Sequence, residues 1–412
     1  MRNLYRACLV FGCAFLLVFT AKADDAQMSA ESAGTKSSAA VVESQQATTS
    51  EFNKFFTVSA SLREEFDDNI NTTRTNKKSQ FKTVVEPSIL LDFPMEQTSV
   101  SFRYTPTLIY YPDRDGRDYD LNHEFVGRVT HSFSSRLNLD AREQFRYSNE
   151  PAIFDSSALV RRSGEYFYNV ASIQGDIQWT PKFGTTSAYT NIYTDYIDDL
   201  LSETNDRMSH NFDQDFRYLI LPTTTLVFAG GYYFNDYENV SRDSQAITAS
   251  VGADHSFSPQ FTGGIRLGAQ YVDLLQGGGD NIAPYGSLFA NYQLGARSSL
   301  ELNYSHSFQP TDATNFYGQE ADMISLAGRY QFTPKFSTKL QAMFTHGDYV
   351  SKYTLLGNSF QEDVLAFDLG FNYKLNNYVD FELGYTYTSV MSDFEVREYD
   401  RNRVYIGVRG TY

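Results

Sequence analysis

Trp179-Thr180-Pro181-Lys182-Phe183, Phe257-Ser258-Pro259-Gln260-Phe261 and Phe332-Thr333-Pro334-Lys335-Phe336 are three copies of one five-residue pattern. Each lies between two runs in which apolar and polar residues alternate. Each therefore reads as a tight turn between antiparallel strands, with proline fixing φ at the corner. An aromatic stands on either side. Rings flanking short turns suit the boundary between hydrocarbon and water, where amphipathic side chains collect. The copies are 78 and 75 residues apart, and a degenerate turn falls between each pair, at Leu221-Pro222-Thr223 and Gly295-Ala296-Arg297. The pattern thus marks every second short turn on one side of a meander.

Working outward, short turns recur at 94–97, 134–136, 181–183, 222–224, 259–261, 296–298, 334–336 and 376–377. Longer charged or glycine-rich loops separate them, at 67–79, 112–118, 149–163, 198–206, 239–243, 275–281, 310–319, 350–361 and 393–400. Eight short and nine long connections join eighteen strands, with sixteen as the alternative count. An even number of strands with both ends on the short-turn side is the topology of a bacterial outer-membrane barrel. The expected fold class is all-β: a transmembrane antiparallel up-and-down β-barrel over residues 52–412, closed so that no strand edge is left exposed.

The opening residues fit this destination. Arg2 and Arg6, the apolar stretch 7–20 and Ala21-Lys22-Ala23 read as a signal peptide over 1–23. Residues 24–51 carry no aromatic and read as a flexible periplasmic tail. Both cysteines, Cys8 and Cys13, lie in the signal segment, which excludes disulfides and thiolate metal sites from the mature chain. Removing Arg2, Arg6 and Lys22 leaves 31 basic against 50 acidic residues, a formal charge of −19. That balance disfavours nucleic acid as a partner.

Alternation sorts each strand into two faces. In the last strand Val404, Ile406, Val408, Gly410 and Tyr412 form the apolar set, opposite Arg403, Tyr405, Gly407, Arg409 and Thr411. The aromatic end at Tyr412 resembles the signal read by outer-membrane assembly machinery. Arg or Lys facing lipid at mid-depth costs about 2–4 kcal/mol, so charge gathered on one face implies a wet lumen. The inward, pore-lining set comprises Arg63, Glu65, Lys82, Glu86, Arg103, Glu124, Arg128, Asp140, Arg142, Arg146, Asp213, Asp215, Arg217, Arg266, Arg329, Arg403 and Arg409. Its many arginines make the lumen look more cationic than the loops. Two readings stay open: a track for anionic or hydroxyl-rich solutes, and structural ion pairs that stiffen the wall. Glu64 and Glu143 fall on the apolar face, near the outer rim where the penalty fades. No exterior loop stands out as long enough to fold inward as a constriction, and 149–163 is the best candidate.

Catalytic signals are missing. The six histidines are scattered, without HExxH or paired spacing, and His123, His131, His306 and His346 fall in the apolar register. No GxSxG elbow is present. Asp67-Asp68-Asn69-Ile70-Asn71 lacks the glycine and closing glutamate of a calcium loop and reads as a solvated exterior loop. No cofactor, metal or enzymatic activity is expected.

Leu62-Arg63-Glu64-Glu65-Phe66-Asp67-Asp68-Asn69-Ile70, echoed by Ala141-Arg142-Glu143-Gln144-Phe145, resembles the opening of outer-membrane barrels called beta-barrel porin 2. The likeness in architecture covers 52–412. It implies a porin-like barrel of the outer membrane, associated with exopolysaccharide or capsule systems, and supplies no catalytic residues. The expected function is a channel for hydrophilic solutes, with saccharide transport or export as one form of it. The alternative is a closed structural or interaction barrel whose loops bind a surface polymer or partner. Lipid and lipopolysaccharide of the outer membrane, the assembly machinery and a saccharide solute are the expected partners.

Overall fold

The computed structural model describes residues 55–114, 116–150, 164–275, 279–311, 313, 315–351 and 360–412. The expected signal segment and tail lie outside them. The strands are β1 (Phe56–Asp67), β2 (Gln80–Pro94), β3 (Thr98–Tyr110), β4 (Tyr119–Ser134), β5 (Leu137–Ser148), β6 (Tyr166–Gln178), β7 (Phe183–Tyr196), β8 (Arg207–Leu221) and β9 (Thr224–Tyr237). They continue as β10 (Ser244–Ser258), β11 (Phe261–Leu274), β12 (Gly279–Gly295), β13 (Ser298–Gln309), β14 (Phe316–Gln331), β15 (Phe336–Ser351), β16 (Phe360–Lys374), β17 (Val379–Ser392) and β18 (Tyr399–Thr411). One short helix, α1 (Asp199–Asn205), sits in a stretch read from sequence as loop. Asp198 caps it by accepting from the amides of Leu200 and Leu201 at 3.0 and 3.2 Å.

Each strand pairs antiparallel with the next, and β1 pairs with β18, giving a closed sheet of 18 strands. The larger of the two counts is the observed one. Closure joins Leu62 to Val408 and Asp67 to Arg403 in register. Near the seam Gly384 faces Tyr405 across β17–β18; a Cβ there would sit 2.2 Å from the tyrosine ring, so glycine makes room for it.

The short turns are held by more than proline. The Thr180 hydroxyl accepts from the amides of Lys182 and Phe183 at 3.3 and 3.0 Å. Thr333 does the same for Lys335 and Phe336 at 3.2 and 3.0 Å, and Ser258 for Gln260 and Phe261 at 3.2 and 3.1 Å. A side-chain oxygen two or three residues before an amide locks a tight turn. The flanking rings stack, Phe257 on Phe261 at 4.8 Å and Phe332 on Phe336 at 5.2 Å between centroids.

Outside, Leu62, Phe81, Ile247, Leu267, Ile282 and Ile406 are exposed, as a lipid-facing band requires. All six histidines share that face, His210 and His255 included, and each bonds a neighbouring hydroxyl or carboxylate: His131 meets Thr98 at 2.7 Å and His346 meets Asp363 at 2.6 Å. Glu64 and Glu143 also lie outside, where Thr83 and Asn169 donate to them. Asp322 and Asp363 are further outward carboxylates near the loop ends of their strands.

Candidate functional site

The side chains that carry chemistry line the interior. Every residue of the expected inward set occupies the inward register, as does every other lysine and arginine in the strands. The same register brings in Asp67, Asp120, Asp176, Asp254, Glu362, Asp368, Asp380 and Glu382. The interior is therefore close to charge balance, not the mainly cationic surface expected from sequence. Most inward arginines meet a carboxylate. Arg63 is 3.2 Å from Glu86, Arg146 is 2.9 Å from Glu124, and Arg128 is 2.5 Å from Asp140. Arg217 and Arg266 share Asp254 at 3.2 and 2.8 Å, and Arg409 lies 2.8 Å from Glu382.

Two levels differ in packing. At the loop end the inward side chains are buried: Asp67 is 0% exposed, Lys82 2%, Glu362 4% and Tyr166 0%. Toward the turn end they are half-buried or exposed, among them Arg103, Arg128, Asp213, Asp215, Lys339 and Asp368. The buried level is an ionic clamp. Arg401 donates to Asp67 at 2.5 Å and to Glu150 at 2.9 Å, and Lys82 reaches Asp67 at 3.1 Å and Glu65 at 3.0 Å. Glu150 follows β5, whereas Arg401, Asp67 and Lys82 belong to β18, β1 and β2. The contact therefore draws the start of the loop after β5 across the mouth. That loop is the best candidate for a constriction read from the sequence; residues 151–163 of it lie outside the described residues. Burial would raise the Glu150 carboxyl, but Arg401, Lys82 and Arg403 hold it well below the usual glutamate range.

Beside the clamp, Arg114 forks onto Asp120 through two 2.7 Å bonds and stacks 4.0 Å above the Tyr111 ring. Its bond to Asp120 raises the guanidinium above its ordinary value. A cavity of about 330 Å³ opens here, lined by Ile70, Tyr111, Arg114, Asp120, Glu150 and Arg401 among others. The stretch 67–71 is thus not simply a solvated loop. Asp67 and Asn69 are fully buried, and Asp68 accepts from the amide and side chain of Asn402 at 2.7 Å each. The reason is register: Asp67 points inward against Arg401, and Asn69 donates to the Asp400 carbonyl at 2.8 Å.

Arg242 makes a second closure of the mouth. It is fully buried and donates to the carbonyls of Thr204 at 2.9 Å, Phe316 at 3.0 Å and Thr311. Three loops that no periodicity connects are tied by this one side chain. Alternation alone locates Asp67, Asp254, Glu382 and Arg401; Glu150 and Arg242, outside any strand, carry no such signal. Among the described residues no group of three His, Cys, Asp or Glu is placed to hold a metal ion.

Solved structures similar to this chain include a BenF-like porin from Pseudomonas fluorescens Pf-5, with 12% identity and a TM-score of 0.44 over 87% of this chain and 99% of that one. OccAB3 of Acinetobacter baumannii is also similar, with 12% identity and a TM-score of 0.42 over the same shares. OpdK of Pseudomonas aeruginosa, solved with vanillate, has 11% identity and a TM-score of 0.45, again over 87% and 99%. No curated protein matches. A family model described as "Putative beta-barrel porin 2" matches residues 55–412, and the chain belongs to that family of bacterial outer-membrane porin-like barrels.

Proposed function

We propose that this porin-like barrel passes hydrophilic solutes across the outer membrane, with a saccharide as the solute class that the family resemblance implies. The observation that carries the reading is the two-level interior. A charged wall of Arg103, Arg128, Asp213, Asp215 and Asp368, half-buried or exposed, lies below a mouth crossed by the Glu150 and Arg242 contacts. Eighteen strands enclose an aqueous lumen unless something fills it. Paired guanidinium and carboxylate groups, with Tyr111 and Tyr405 among them, offer hydroxyl-rich solutes both hydrogen bonds and ring faces. The strand ending beside Tyr412 serves in this reading as the segment taken up by the assembly machinery, and the lipid-facing band as the surface that meets lipopolysaccharide.

A second reading has its own support. The buried ionic clamp and the Arg242 contacts suit a barrel closed at its outer end, whose loops bind a surface polymer or partner. Conductance of the purified full chain in planar bilayers separates the two. Stable openings that lengthen or shorten their closures when oligosaccharide is added support the solute channel; silence at every voltage tested supports the closed barrel.

A further inference from the structure

Arg142 on β5 stands directly opposite Arg128 on β4. Like charges in directly opposed positions of an antiparallel pair repel, and such an arrangement needs a counter-charge. Arg103 adds a third cation: it pairs with Val126, which places it diagonal to both Arg128 and Glu124. The carboxylates of this patch are already engaged. Asp140 accepts from Arg128 Nε and Nη2 at 2.9 and 2.5 Å, and Glu124 accepts from Arg146 Nη2 and Gln144 Nε2 at 2.9 Å each. Arg142 forms no hydrogen bond or ion pair with a described residue, and its Nη2 is shielded from solvent without an acceptor. A shielded guanidinium donor left unsatisfied is costly, and no described residue supplies its acceptor. Arg128, with 57% of its side chain exposed, keeps the patch open to the lumen.

We propose that Arg142, flanked by Arg128 and Arg103, forms an oxyanion subsite in the lumen that takes the carboxylate or phosphate group of a passing solute. The planar fork of a guanidinium matches either group through two parallel hydrogen bonds, and Arg128 and Arg103 add Coulombic attraction beside it that Asp140 and Glu124 partly offset. The inference rests on the lumen being a solute path, and adds that the solutes it favours carry an anionic group.

The test is isothermal titration of the refolded full chain in detergent with inorganic phosphate and, separately, acetate. Saturable binding of one or both is expected, and which of the two binds assigns the solute group. Arg142→Gln should weaken that binding by about tenfold or more, as loss of a charged hydrogen bond does. Arg142→Lys, which keeps the charge but not the fork, should fall between, and Lys335→Gln in a distant turn should bind as the wild type does. Absence of binding to the wild type, or equal binding to Arg142→Gln, overturns the subsite. Should Arg142→Gln fail to fold, Arg142→Lys and Arg128→Gln carry the same comparison. Phosphate binding that survives in a protein with no conductance keeps the subsite and removes the channel reading; an open channel whose binding ignores Arg142 does the reverse.

Discussion

Asp67 shows how much one inward carboxylate does. It is fully buried between Arg401 and Lys82, so removing its charge leaves two cations out of water with only Glu65 and Glu150 to offset them. Breaking a buried pair from one side typically costs about 3–5 kcal/mol. Asp67→Asn is therefore expected to lower the unfolding free energy obtained from urea titration by an amount in that range, read by tyrosine fluorescence; a change under about 1 kcal/mol, the scale of an exposed pair, would refute the buried clamp. Glu150 adds a pH dependence of known sign. Its folded-state pKa is depressed, so its contribution is complete above the ordinary glutamate range and is lost as pH falls through the lower folded value. The stability gap between wild type and Glu150→Gln should thus stay level from pH 7 down to about 4.3 and close only below it. A gap that closes between pH 7 and about 5 contradicts the assignment.

The turns were legible in the sequence because their chemistry is local. Aromatic, hydroxyl, proline and aromatic sit within five residues, and alternation on either side gave strand direction, sidedness and the inward set. The role of the second position was hidden, since proline looked sufficient. In the structure the hydroxyl of Thr180, Ser258 or Thr333 holds two amides, and Asn376 repeats the device without proline by accepting from Tyr378 and Val379 at 2.8 and 3.0 Å. Thr333→Val keeps the shape and removes the acceptor, and should cost about 1 kcal/mol, as loss of a capping oxygen does. Pro334→Ala should cost less than about 1 kcal/mol, because it acts chiefly through the entropy of the unfolded chain. Urea unfolding of the two variants side by side checks the order, and a larger loss for Pro334→Ala would return the corner to proline.

At the scale of the whole molecule, legibility ends where contacts leave the strands. Barrel closure followed from an even strand count, and the parity that found Arg403 and Arg409 also covers Arg401. Nothing periodic links Arg242 to Thr204, Thr311 and Phe316, nor Glu150 to Arg401, because these meet only after the loops fold over the ring. These contacts tie the loops together at the outer end of the barrel. Arg242 stacks on Tyr237 at 4.5 Å and supplies hydrogen to three main-chain carbonyls, so Arg242→Leu preserves bulk while removing this donor from Thr204 and Phe316 and leaving Thr311 only the Tyr237 hydroxyl at 3.2 Å. Buried carbonyls deprived of a partner favour conformations that reach water. The loops bearing Thr204 and Thr311 should then lift, while the strands, held by their ladders, stay in place. Single-channel conductance of Arg242→Leu is expected to exceed that of the wild type, and protease added from outside should cut within 199–206 or 310–315 faster, with the barrel core intact. Unchanged conductance together with an unchanged cleavage rate would show that Arg242 fastens the loops without controlling the opening.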